Sequence, residues 1–145
     1  MKVPKLSFVA LPLALLACTQ AAAATVEVIK SPYCGCCTEW VKHLQEHGFQ
    51  VKVIETENVD AAAKALGIPD DLRSCHSAKV GSYAVEGHVP ASDIQRMLKT
   101  KPKAIGIAVP GMPIGSPGME QGNMRQPYKA ILFAAQGSRK VFAQH

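Results

Sequence analysis

Residues 25–55 read TVEVIKSPYCGCCTEWVKHLQEHGFQVKVIE, and this stretch decides the fold. Thr25 to Lys30 alternates and is rich in β-branched residues, which is the pattern of a strand. Ser31-Pro32-Tyr33 reads as a loop. From about Cys36 to His47, Trp40, Val41 and Leu44 recur at helical spacing, and Gly48 supplies the stop. Phe49 to Glu55 alternates again. Strand, helix and strand at these lengths form a βαβ unit, so the two strands are predicted to run parallel.

Working outward, Asn58 is placed to cap a short Ala-rich helix that ends at Gly67, with Pro69 closing it. The segment around Cys75 reads as irregular. Val80 to Val85 is expected to be a strand, and a helix entered through Pro90 is expected from Ala91 or Ser92 to about Lys99. Ala104 to Val109 reads as a buried strand. Pro110 to Pro127 is a long Pro- and Gly-punctuated loop, and loops of that length in a small domain usually have a task. Tyr128 to Ala134 and Lys140 to Ala143 are expected to be strands joined by a turn at Gln136-Gly137-Ser138. The fold class this implies is α/β, a mixed central sheet flanked by helices.

The chain has 145 residues, 48% of them hydrophobic, enough for one domain with a real core. Residues 1–24 are read as a cleaved leader: Lys2 and Lys5 form a basic start, Leu6 to Leu16 an apolar run, and Ala21 to Ala24 a small-residue cleavage site before Thr25. Leu15-Leu16-Ala17-Cys18 also resembles a lipobox, an alternative in which Cys18 would carry a lipid anchor. Either way residues 25–145 are expected to form one exported, periplasmic domain. The apolar run is too short for a membrane span. The formal charge is +5, two units of which belong to the leader. Lys42, Lys52, Lys64, Lys79, Arg96, Lys129 and Arg139 are scattered, and the cluster Lys99, Lys101, Lys103 is interrupted by Pro102. This distribution suits a solvated surface and does not support nucleic-acid binding.

Without the leader, four cysteines remain: Cys34, Cys36, Cys37 and Cys75. Three lie within four residues, a poor arrangement for stapling a fold, since the vicinal pair Cys36-Cys37 bridges only with strain. Cys34-Gly35-Cys36-Cys37 opens a helix directly after a strand. Unpaired N–H groups and the helix dipole there favour thiolates, which are both nucleophiles and metal ligands. Cys34 and Cys37 have the C-x-x-C spacing of redox pairs. Three sulfurs this close also suit joint binding of soft metal ions. A structural disulfide or half a zinc site are the plain alternatives, although zinc usually takes a second matched pair.

Cys75-His76 is expected to join the first cluster in space, or Cys75 is an orphan thiol. His88 sits in the tight Gly87-His88-Val89-Pro90 turn, as a candidate ligand or a surface residue. His43 and His47 share a helix face that reads as solvated, and His145 reads as a frayed terminus. Met112 and Met119 lie in the Pro/Gly loop, where thioethers would suit Cu(I), with core filling as the alternative. Met97, in step with Ile94 and Leu98, is expected in the core.

The motifs Ser31-Pro32-Tyr33-Cys34-Gly35-Cys36-Cys37, Ser74-Cys75-His76, Val85-Glu86-Gly87-His88-Val89-Pro90, Val109-Pro110-Gly111-Met112-Pro113 and Gly115-Ser116-Pro117-Gly118-Met119-Glu120 occur in that order. Together they resemble the small periplasmic metal-binding family of unknown-function domains that includes the CopG-type copper-resistance proteins. The resemblance spans Val26 to about Phe142. It implies a thioredoxin-like fold and a multi-copper Cu(I)–thiolate cluster, with interconversion of Cu(I) and Cu(II) as an added activity. It also implies copper ions and other periplasmic copper-resistance proteins as partners. By motif, Cys34, Cys36, Cys37 and Cys75 would be the cluster thiolates, with His76, His88, Met112 and Met119 as neighbouring candidates. A thiol–disulfide oxidoreductase acting through Cys34 and Cys37, and a zinc-stabilised interaction domain, are the two other classes that the residues allow.

Overall fold

The computed structural model describes residues 24–145; residues 1–23 of the leader, Cys18 among them, lie outside the described residues. Seven strands form one mixed sheet in the order β2-β1-β3-β4-β5-β6-β7. They are β1 (Thr25–Lys30), β2 (Gln50–Glu55), β3 (His76–Val80), β4 (Tyr83–Glu86), β5 (Gly106–Ala108), β6 (Lys129–Phe133) and β7 (Arg139–Gln144). The helices are α1 (Gly35–Glu46), α2 (Val59–Ala65) and α3 (Ala91–Thr100). The architecture is α/β, as the sequence implies. β1 pairs parallel with β2 and antiparallel with β3, and β3 pairs antiparallel with β4. That arrangement is compatible with a thioredoxin-like core.

Two layers of helix cover the sheet. Cys37, Trp40, Val41 and Leu44 form the buried stripe of α1, and Ile94 and Met97 that of α3. They pack with Val26 and Val28 of β1, Ala78 and Val80 of β3, Val85 and Ile107 on one face. Ala63 of α2 packs with Ile68, Leu72, Ala84, Ala108 and Phe133 on the other. Neighbouring residues such as Ala84 and Val85, or Ile107 and Ala108, therefore serve opposite faces, as the period of two dictates.

The structure departs from the sequence expectation at three places. Val80 to Val85 is not one strand. It is the corner of a hairpin, turning at Gly81-Ser82 with Gly81 at φ +57°, and β3 begins at His76, in the segment read as irregular. His145 is not frayed: its Nε2 lies 2.7 Å from the Asp93 carboxylate and its ring stacks on Tyr128. His43 is half-buried, and its Nε2 accepts a hydrogen bond from the Ala91 N–H. Pro90 offers no capping side chain, so His43 satisfies an N-terminal N–H of α3 instead.

A four-sulfur centre at the strand ends

Three neighbouring segments build the site. β1 ends at Lys30 and, after a short turn, α1 starts with Cys34 as its N-cap, the sulfur accepting from the Cys37 N–H at 3.3 Å. This places Cys34, Cys36 and Cys37 on the first turn of α1. β3 runs antiparallel to β1, so its start lies beside the end of β1, and Cys75 immediately precedes it. The 110–127 loop lies over α1. Gly118, at φ +85°, fits against the Cys36 carbonyl and the Trp40 N–H so closely that a Cβ there would stand 2.7 and 2.8 Å from them.

The four sulfurs Cys34, Cys36, Cys37 and Cys75 all lie within 4.8 Å of one another. Cys34 and Cys37 are bridged as a disulfide, while Cys36 and Cys75 are free thiols. Cys36 Sγ stands 3.5 Å from Cys34 Sγ and 3.8 Å from Cys75 Sγ, and Cys37 Sγ stands 3.5 Å from Cys75 Sγ. Cys37 is fully buried; the other three are half-buried.

Two imidazoles adjoin this cluster. His88 Nδ1 lies 2.9 Å from the Pro117 carbonyl, which can only accept, so Nδ1 carries the proton. The bare Nε2 faces Cys75 Sγ at 3.1 Å. His76 Nδ1 is 3.4 Å from the same sulfur, and its ring packs against Trp40 and edge-on to His88. Nε2 of His76 is buried and has no hydrogen-bond partner. Cys75, His76 and His88 thus form a second set of donors within 4.8 Å of each other.

Burial governs the protonation of these groups. It holds His76 down to about 3, helped by the neighbouring His88, and it lowers His88 as well. Both rings are therefore neutral at physiological pH, the form that offers a lone pair to a metal. Burial and the adjacent Cys36 push the Cys75 thiol up to about 12. Without a cation, Cys75 is a thiol positioned to donate to His88 Nε2.

Sequence reasoning missed two supports of the site. Glu86, buried, accepts from the Ser74 N–H at 2.7 Å and the Ser77 hydroxyl at 2.6 Å, bracketing Cys75-His76. Lys30, also buried, sits opposite His76 in the sheet and pairs with Glu55 at 3.4 Å. A charged residue in a strand gives no local sign that its neighbours will enclose it. Of the methionines, Met112 is 52% exposed and Met119 is half-buried, directly after the residue that packs on α1. Met97 is in the core.

The donor set fits a soft cation. Four sulfurs within one ion's reach are more than a redox pair needs.

Comparison with known proteins agrees with this chemistry. The family described as "Protein of unknown function, DUF411" matches residues 72–119, which contain Cys75, His76 and His88. Two solved structures of a copper resistance protein, CopG, forms 2 and 1, are each 38% identical to the chain. Each match covers 85% of this chain and 98% of that one, with TM-scores of 0.81 and 0.80. No curated protein matches the chain.

Proposed function

The chain belongs to the DUF411 family that includes the CopG-type copper-resistance proteins, and from that membership we propose that it is an exported copper-binding protein of copper resistance. Residues 25–145 would act in the periplasm once the leader is removed. The observation that carries the reading is the convergence of four cysteine sulfurs within 4.8 Å, from two segments some forty residues apart. Cu(I) prefers thiolates and thioethers, and Met119 directly follows Gly118, the loop residue that packs against α1; Met112, in the same loop, is exposed. With all four thiols reduced, Cys34, Cys36, Cys37 and Cys75 would hold several Cu(I) ions as a thiolate cluster. His88, held by Pro117, and His76 stand beside it as further ligands.

A second reading has its own support. The Cys34–Cys37 bridge at the N-terminus of α1 is the arrangement of a thiol–disulfide oxidoreductase. The two readings separate in one anaerobic experiment. The reduced protein is titrated with Cu(I) against a competing chelator, with Zn(II), and with a disulfide substrate. Uptake of more than one Cu(I) per chain, with thiolate-to-copper absorption, supports copper handling. Turnover of the disulfide without metal supports the oxidoreductase. One tightly held Zn(II) and no multiple copper uptake overturns both.

A further inference from the structure

The sulfur set and the imidazole set share one atom, the Cys75 sulfur, and the bridge divides them. Cys34 and Cys37 bonded to each other are no longer thiolates, so they cannot serve as anionic ligands. Cys36 and Cys75 remain free thiols, and of these Cys75 alone forms a donor set with His76 and His88. Cys75 Sγ still faces His88 Nε2 at 3.1 Å and His76 Nδ1 at 3.4 Å, and all three residues stay within 4.8 Å. Both imidazoles are buried and braced, His88 by the Pro117 carbonyl and His76 by Trp40, so this set is formed in advance.

One thiolate and two imidazoles are a different class of site from four thiolates. They suit a single borderline ion, Cu(II) among them, whereas the all-sulfur set suits Cu(I). We infer that the Cys34–Cys37 bridge switches the centre between two overlapping sites: an all-sulfur site for Cu(I) when open, and a one-ion Cys75–His76–His88 site when closed. The open half of this inference rests on the copper reading; the closed half rests on the geometry alone.

The switch needs a two-electron reductant, and a dithiol supplies it. Cys34 is half-exposed and Cys37 is buried, so the incoming thiolate attacks Cys34 Sγ. The Cys34–Cys37 bond breaks, Cys37 leaves as a thiolate, and a mixed disulfide forms at Cys34. The second thiol of the reductant displaces Cys34, and the reductant departs as its own disulfide. Two electrons enter the protein, and two protons from the dithiol balance the two new thiols.

Two preparations of the exported protein test this, one bridged and one fully reduced, distinguished by two titratable thiols. Co(II), which does not oxidise thiols, probes the closed site anaerobically through its thiolate charge-transfer and ligand-field bands. The bridged protein should take up one Co(II). X-ray absorption on the unaltered protein should count one sulfur and two imidazole nitrogens. Cys75→Ser should abolish the charge-transfer band, and His88→Ala should weaken binding at least tenfold. No Co(II) uptake by the bridged protein overturns the switch, as does a sulfur-rich first shell, or a band that survives Cys75→Ser. Cu(I) uptake is measured on both preparations. If the reduced protein takes none while the bridged one still binds Co(II), the copper reading fails and the closed site stands. If the reduced protein takes several and the bridged one takes as many, the switch fails and the copper reading stands.

Discussion

His88 presents Nε2 to the Cys75 sulfur at 3.1 Å because its other nitrogen is committed to the Pro117 carbonyl. The 110–127 loop therefore sets the tautomer of His88. A donor nitrogen fixed in this way would cost little to reorganise if an ion were to bind.

Cys36→Ser removes the sulfur that stands between Cys34 and Cys75. It leaves the C-x-x-C pair and the core untouched. Copper stoichiometry of the reduced protein should fall to one Cu(I) or none, while the unfolding free energy changes by less than about 1 kcal/mol, as for a half-exposed polar swap. Chelator competition and urea melts check both halves. Unchanged stoichiometry would remove Cys36 from the centre.

Gly118→Ala tests the seat of the loop. The residue is at φ +85°, and the added Cβ would meet backbone atoms of Cys36 and Trp40 rather than a yielding side chain. Strain of roughly 1–3 kcal/mol is expected, together with weaker metal binding as the Pro117 carbonyl moves off His88. Gly122→Ala is the control: it also has a positive φ but nothing within 4 Å. It should lower stability and leave metal affinity unaltered.

Glu86→Ala should cost about 2–6 kcal/mol. It orphans the Ser74 N–H and the Ser77 hydroxyl, and each buried unpaired group costs roughly 1–3 kcal/mol. Denaturant unfolding measures the loss. Retained stability would mean that Cys75 is held by its strand alone.

Acid should destabilise the metal-free protein. Burial lowers His76 to about 3 and also lowers His88 and His43 from 6.5. A group with a depressed folded value binds fewer protons folded than unfolded, so its contribution is complete above 6.5 and lost as pH falls toward the folded value. Glu86, raised from 4.5 by burial, acts oppositely: its contribution is present at low pH and lost as pH rises through its folded value. Unfolding free energies at fixed salt should therefore decline between pH 6.5 and 3. His76→Phe should make that decline shallower, by up to about 1.4 kcal/mol per pH step of one. A decline of the same slope in the variant would show that His76 is not its source.

Much of this was legible in the sequence because local rules agreed with the global fold. The β1-α1-β2 unit, the Asn58 cap and the buried stripe of α1 needed only periodicity and capping chemistry. The four sulfurs were legible by elimination, since they had no better use. The β3–β4 hairpin was not, because apolar residues lie on both sides of Gly81 and a continuous strand fits the same letters. His43, His145 and Glu86 were missed for another reason. Their partners, Ala91, Asp93 and Ser74, lie 48, 52 and 12 residues away, and only the folded chain brings them together.

Five register pairs join β1 to β3, from Val26 opposite Val80 to Lys30 opposite His76, just short of where the sulfurs meet. The two halves of the grip are thus riveted by backbone before any ion is present. A small metal-folded domain falls apart when stripped; this one should keep its jaws aligned whether or not an ion is held.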